Sequence, residues 1–408
     1  MILIWFAVAL VVMAGLAFSF RLVGQSITGN APKFRDMPFG VAFGYILGLV
    51  VLAWLAWAYL QGRSSDPQVA NKFFFLRIAI ESFILFAAAA WLFRIFGRYV
   101  GTAWSRKMFR SMPLTASFGI LTILIYAIFA IFAAAIAPYG QEEILPGVAA
   151  NIVPGGDPAL GGDPAFLLGT DQIGRDILSR LIYGAQNTVG IAFATTVLAF
   201  LLGGTFGFLA ATLGGWLDQI LSRMVDVLMA IPSLIFALLL MTIASVWAPV
   251  LASELEIPST VLLTVCMVVI IAVIDSTRVY RLARAVGQNI VVMDYIEAAK
   301  LRGEGLGYLV FKEILPNATA PLLAEFGLRF CFVFLTIAAL SFLGVGIQPP
   351  LADWGTMVRD LGGFVNYAQF APLAATAPLL AAGAIALLTV SVNFVVDWML
   401  HRSSGLKE

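Results

Sequence analysis

Nine runs of about twenty apolar residues constrain this chain more than any other feature, because a helix needs about 20 such residues to cross roughly 30 Å of hydrocarbon. They cover approximately 2–20, 40–60, 74–95, 116–137, 187–212, 223–247, 259–281, 318–347 and 372–400. The first run lacks a basic leader segment and is too long for an ordinary signal peptide. Arg21 closes it, as in a retained anchor. Of 408 residues, 61% are hydrophobic and 12% charged, whereas a soluble domain is about half apolar and about a quarter charged. The expected fold class is therefore an all-α integral membrane protein, with the lipid bilayer as its first partner. A net charge of +1 gives no reason to expect a nucleic-acid partner. The single histidine, His401, argues against His-based metal sites and triads. Cys266 and Cys331 sit in apolar runs and read as buried thiols. No GxxxxGK[ST] stretch occurs, so the chain carries no P-loop and is not expected to be an enzyme.

Lys and Arg set the orientation, since short cytoplasmic loops carry their excess. Arg94, Arg98, Arg106, Lys107 and Arg110 precede the fourth run. Arg278, Arg281, Arg284, Lys300, Arg302 and Lys312 separate the seventh from the eighth. Both segments belong inside. The segment 138–174 has no Lys or Arg but holds Glu142, Glu143, Asp157, Asp163 and Asp171, and 248–258 has only Glu254 and Glu256. Both belong outside. The N-terminus is then expected outside and the C-terminus in the cytoplasm.

Residues 1–110 read as a separate unit of about three membrane helices ending in a basic linker. The outer segment holds GGDPA twice, at 155–159 and 161–165, which reads as a local duplication of turn formers. Residues 294–317, DYIEAAKLRGEGLGYLVFKEILPN, are the most polar part of the second half. A helix is expected from about Asp294, as its cap, to Arg302. Gly303, Gly305 and Gly307 then break it. A second short helix should run from about Tyr308 to Leu315, where Pro316 stops it and opens the next span. Ala298 and Ala299 give a smooth face suited to a partner's groove, with Glu297, Lys300 and Arg302 at the rim. A plain amphipathic connector fits the same residues.

This segment resembles the EAA loop of binding-protein-dependent ABC importer permeases. Glu297, Ala298, Ala299, Gly303, Ile314, Leu315 and Pro316 fill that pattern, while Glu313 departs from an often apolar position. Leu168–Val189, Gly214–Leu234 and Leu340–Val358 resemble further parts of the C-type subunit of the oligopeptide and dipeptide branch, so the likeness covers roughly 113–400. The resemblance implies a six-helix type I permease core with about three additional N-terminal helices. It implies an extension at 1–110, a first core helix with outer loop and amphipathic segment at 111–185, a permease core at 186–400 with the coupling loop at 290–317, and a cytoplasmic tail at 401–408. It places the chain in a bacterial plasma (inner) membrane. It implies a peptide-class solute and a heterodimer with a second permease subunit. Two ATP-binding subunits would hold ATP and Mg, leaving this chain without a cofactor, and an extracellular or periplasmic binding protein would deliver the solute. Coupling to the ATPases would fall to Glu297, Ala298, Ala299, Arg302, Gly303, Ile314, Leu315 and Pro316. A channel or secondary transporter, and a membrane scaffold, are the rival classes.

Charges inside spans are costly and face a cavity or a partner. Glu325 and Arg329, four apart, either neutralise each other on one helix or line the translocation path. Asp226 and Asp275 are expected to contact Arg223 and Arg278. Gly203 and Gly207 form a GxxxG suited to close helix approach. Trp354 and Gly355, in the outer loop, fit a binding-protein contact, an outer gate or an interfacial anchor.

Reporter fusions test the orientation. A tag after Arg110 should report the cytoplasm, and one after Met1 the outside. A cytoplasmic signal from the Met1 fusion would contradict the count of the first three spans.

Overall fold

The computed structural model describes residues 12, 14–16, 19, 38–64 and 66–403. Among them no strand forms, and eight helical segments are long and apolar enough to cross a membrane: Gly40–Gln61, Leu76–Tyr99, Leu114–Ile136, Ile177–Leu213, Ser233–Glu254, Ser259–Val291, Leu306–Phe342 and Ala374–Arg402. The chain is a multi-pass, all-α membrane protein. The expected first span, 2–20, lies mostly outside the described residues.

The helices are α1 (Phe39–Gln61), α2 (Pro67–Tyr99), α3 (Ala103–Ser111), α4 (Leu114–Ile136), α5 (Ile177–Gly184), α6 (Gly190–Leu213), α7 (Gly215–Ala230), α8 (Ser233–Glu254), α9 (Ser259–Val291), α10 (Asp294–Leu301), α11 (Leu315–Phe342), α12 (Trp354–Leu361) and α13 (Ala377–Ser403). Proline punctuates the spans. Pro38, Pro113, Pro232 and Pro258 each stand directly before a helix, α1, α4, α8 and α9. Their fixed φ and missing N–H suit a helix start, where the donor lacks a partner anyway.

Two compact units form, Met1–Ile84 and Leu85–Glu408, with the boundary inside α2. This division falls earlier than residue 110. The reason is packing in the larger unit: Phe93 meets Phe109 at 5.2 Å between ring centroids, and Phe86 meets Phe118 at 6.1 Å. In the smaller unit, Arg77 donates to the Gly62 carbonyl at 3.0 Å and Trp57 packs on Phe73.

Three expected boundaries shift. The span placed at 223–247 is Ser233–Glu254. Residues 215–230 form a separate helix, because Pro232 interrupts the ladder and Asp218, Arg223 and Asp226 make the segment amphipathic. The span placed at 187–212 extends back to Ile177 through a π turn at Ala185–Val189. The span placed at 318–347 begins at Leu306.

One buried cluster, including Tyr126, Met241, Ile271, Phe334, Trp354 and Leu388, joins α4, α8, α9, α11, α12 and α13. A second, smaller cluster lies under the 294–317 segment and is taken up below. Between α6 and α9 the backbones nearly touch. A Cβ on Gly203 would collide with the Ser276 carbonyl, and one on Gly207 would stand 2.7 Å from the Ala283 Cβ. The GxxxG is therefore a packing seam. The duplicated GGDPA loops are alike in geometry: Asp157 accepts from Ala159 N–H and Asp163 from Ala165 N–H, both at 2.9 Å.

The seam makes a contrast between neighbours. Gly203→Val should destabilise the chain by about 1–3 kcal/mol through overpacking. Gly204→Ala meets nothing within 4 Å and should stay within about 0.5 kcal/mol. Thermal unfolding of the two variants in detergent reads the difference, and equal behaviour would contradict the packing.

Candidate functional site

The segment between α9 and α11 has a buried underside and an exposed top. α10 starts after Met293, which caps it without a side-chain hydrogen bond. Asp294 is thus not the cap. It lies with Glu297 in the first turn, while Lys300 lies in the last, so both ends complement the helix dipole. The helix closes on Gly303 at φ +81°, a left-handed conformation that glycine adopts without strain. Gly303 N–H donates to the Lys300 carbonyl and Glu304 N–H to that of Ala299.

Ile296 and Ala299 face inward, fully buried against Phe208, Ala283, Ile290, Leu309, Val310, Ile314 and Ala318. Glu297, Ala298, Arg302 and Gly303 face out. So do two residues that the motif does not single out, Val292 at 79% and Leu301 at 84% exposure. Tyr295 and Phe311 of the same segment are exposed as well. Ala299 and Ile314 have no exposed surface and anchor the segment from beneath. Leu315 is half-buried and Pro316 exposed.

Pro316 does not stop the second helix. The chain passes from Leu306–Tyr308 through a π turn at Leu309–Ile314 into α11 without a break. Proline removes a donor and crowds the carbonyl four residues back. The wider π turn just before it accommodates both effects.

Deeper in the bundle, three charges converge. Arg329 Nε lies 2.7 Å from Glu325 Oε1 on the same helix, and Arg329 Nη1 lies 3.6 Å from Asp275 Oδ1 on α9. The guanidinium also stands 4.6 Å over the Phe332 ring, with Arg278 5.8 Å from the same ring. Asp275 is thus paired across helices with Arg329, not with Arg278 on its own helix. Counting 1.5 Å per residue, Arg329 is about 20 Å from the Phe342 end of α11 and Asp275 about 24 Å from the Ser259 end of α9. The antiparallel helices bring them to one depth. Asp226 makes its shortest pair with Arg281 at 2.6 Å, and Arg223 lies farther, at 3.9 Å. Asp218 pairs with Arg284, whose hydrogen bond holds the Asp218 carboxyl below the usual range. These pairs fasten α7 to α9.

At the other end, Trp354 and Gly355 are buried. The Trp354 indole N–H donates to the Leu181 carbonyl at 2.9 Å, and its ring meets Tyr126 and Phe334 at 5.3 and 6.1 Å. A Cβ on Gly355 would collide with the Ala338 carbonyl. Both therefore lie in the core of the unit. Asp353 caps α12, accepting from Thr356 N–H at 2.8 Å and from the Thr188 hydroxyl at 2.7 Å. Burial pushes its carboxyl above the usual range, and these hydrogen bonds oppose that shift. Nearby, a cavity of about 300 Å³ is lined by Asp171, Gln172, Arg175, Arg180 and Asp360 among others. Asp171 and Arg175 pair there at 2.7 Å, an i,i+4 pair with no motif to signal it.

Residues 203–404 match the family described as binding-protein-dependent transport system inner membrane component. The dipeptide transport system permease protein DppC of Escherichia coli K12 is 37% identical over 281 residues, covering 68% of this chain and 85% of that protein. DppC of Haemophilus influenzae is 37% identical over 257 residues, 62% of this chain and 80% of its own. The glutathione transport system permease protein GsiD of Pectobacterium atrosepticum is 29% identical over 265 residues, 64% of this chain and 79% of its own.

The charge cluster ranks its own variants. Arg329→Gln strands two carboxylates and should cost about 3–5 kcal/mol, the range for breaking a buried pair. Glu325→Gln should cost less, because Asp275 still faces Arg329. Neutralising all three with Asp275→Asn, Glu325→Gln and Arg329→Gln should recover most of the loss. Unfolding midpoints in detergent check the order, and a Glu325→Gln variant as damaged as Arg329→Gln would contradict it.

Proposed function

The chain belongs to the family of binding-protein-dependent transport system inner membrane components and is a permease subunit of the ABC peptide-importer class; on that premise we propose that it forms one half of a translocation pore and couples it to ATPase subunits through α10. A second permease subunit supplies the other half. Two ATP-binding subunits hold ATP and Mg and do the hydrolysis. A binding protein on the outer side delivers the solute. The relatives named for dipeptides make a dipeptide or similar short peptide the solute of choice. The N-terminus lies outside and the C-terminus in the cytoplasm, which puts α10 where the ATPases are.

The observation that carries this reading is the two-sided build of α10. Its underside is locked into the chain by Ile296 and Ala299, and its top offers Val292 and Leu301 to a partner. A push on the exposed face is passed through Leu309, Val310 and Ile314 to α11, because close-packed side chains transmit displacement. The π turn and Pro316 keep that connection helical into the span. α11 also carries Glu325 and Arg329, which this reading places in or beside the path. Polar groups in a span belong beside a cavity or a partner. A channel or secondary transporter would have no ATPase partner to cover the exposed Val292 and Leu301.

Leu301→Asp tests the coupling. The side chain is 84% exposed, so the variant should melt as the parent does, with a change within about 0.5 kcal/mol. Co-purified ATPase subunits should fall at least about tenfold, a loss of about 1.4 kcal/mol of contact, and ATP-driven peptide uptake should fall with them. Gly303→Asp, at a left-handed position, should act in the same direction. Normal ATPase recovery and uptake by the Leu301→Asp complex would defeat the assignment.

A further inference from the structure

The corner between α2 and α3 concentrates positive charge that no acid among the described residues neutralises. From Ser82 to Gln141 there is no Asp or Glu, and the five cations in that stretch, Arg94, Arg98, Arg106, Lys107 and Arg110, fall within 17 residues. Among the described residues none of the five makes an ion pair with an acid. The Nε atoms of Arg94 and Arg98 are buried and have no hydrogen-bond partner. A buried donor without an acceptor costs free energy unless a ligand supplies one.

The fold gathers these cations. Thr102 caps α3, accepting from Ser105 N–H at 3.3 Å. A Cβ on Gly97 would collide with the Phe109 ring, and Phe93 stacks edge-on against Phe109 at 5.2 Å. That contact draws α3 against the last turns of α2. At about 100° per residue, Arg106, Arg110 and Lys107 lie roughly 60–160° around α3 from Phe109, all to one side. All three are exposed, while Arg94 and Arg98 are half-buried one turn apart on α2. Gly97 is small enough to leave the α2 backbone open to this approach.

We propose that this corner is a binding site for the head group of an anionic phospholipid. Its depth selects lipid over an acidic protein. The span Leu76–Tyr99 ends here and Leu114–Ile136 begins three residues after α3 ends, so the cations stand at the boundary where head groups lie. Exposed Tyr99 at 77% adds an aromatic ring at the same level. A cluster of four to eight Lys and Arg beside a span is the usual recognition element for anionic lipid. Guanidinium forks match phosphate oxygens in pairs, which suits the exposed Arg106 and Arg110. The uncompensated charge favours a net-negative lipid over a zwitterionic one carrying the same phosphate.

Native mass spectrometry of the full chain, stripped of lipid in detergent and refilled with cardiolipin or phosphatidylcholine, tests the site. The parent should retain cardiolipin at least tenfold better than phosphatidylcholine. Arg94→Gln with Arg98→Gln, and Arg106→Gln with Arg110→Gln, should each lose most of that retention. Arg223→Gln, which removes one charge from an exposed residue of α7, should not. The four Arg→Lys changes keep the charge and should keep most of the preference, which separates lost binding from lost folding. Inorganic phosphate in millimolar excess should leave the lipid in place. Equal retention of the two lipids by the parent, undiminished retention by both Gln pairs, or displacement by phosphate alone would each overturn the proposal.

Discussion

Hydrocarbon offers no hydrogen bonds, and the molecule is organised around that constraint. Backbone groups in the membrane must be satisfied within the chain, so the spans are helices. Charged groups must find partners at the same depth, so Arg329 faces Glu325 and Asp275 at once. Helices gain little from hydrophobic burial against each other in lipid, so they rely on close contact at small residues. Gly203 and Gly207 supply that contact between α6 and α9. With α9 held by that seam and by the Arg281–Asp226 and Arg284–Asp218 pairs, its far end presents α10 in a fixed place.

On the proposed reading, the loop transmits force and needs a rigid inner face and an open outer one. α10 has both within eight residues. Small residues serve the two faces differently: Ala299 fits into the core beneath, while Ala298 leaves the top low enough for Leu301 and Val292 to stand out. The route from there into the membrane avoids a hinge. A break at Pro316 would have absorbed displacement, whereas the π turn keeps the helix continuous from Leu306 to Phe342.

Much of this was legible in the sequence. Length and apolarity alone locate the eight described spans, and the residue pattern at 294–317 singles out the segment that folds into α10. The misses have physical causes. Span limits shift at prolines: Pro232 separates two helices, whereas the chain stays helical through Pro316 behind a π turn. Asp275 was assigned to a neighbour in sequence, but antiparallel packing brought it to Arg329, a distance that spacing along one chain does not encode. The burial of Trp354 is not legible from its place in the outer loop, because it depends on Asp353 and the Thr188 hydroxyl, which are distant from each other in sequence and hold that loop against the core. Leu301 and Val292 carried no motif, and their exposure emerged only from the direction in which α10 lies on its base.

Hydrogen exchange across residues 292–305, measured on the chain alone and in complex with its ATPase subunits, is the most direct test of where force enters the permease. The account predicts strong added protection on α10 and its closing turn when the ATPases are present, with the spans α8 and α13 unchanged. Exchange in 292–305 that is the same with and without the ATPases would contradict it.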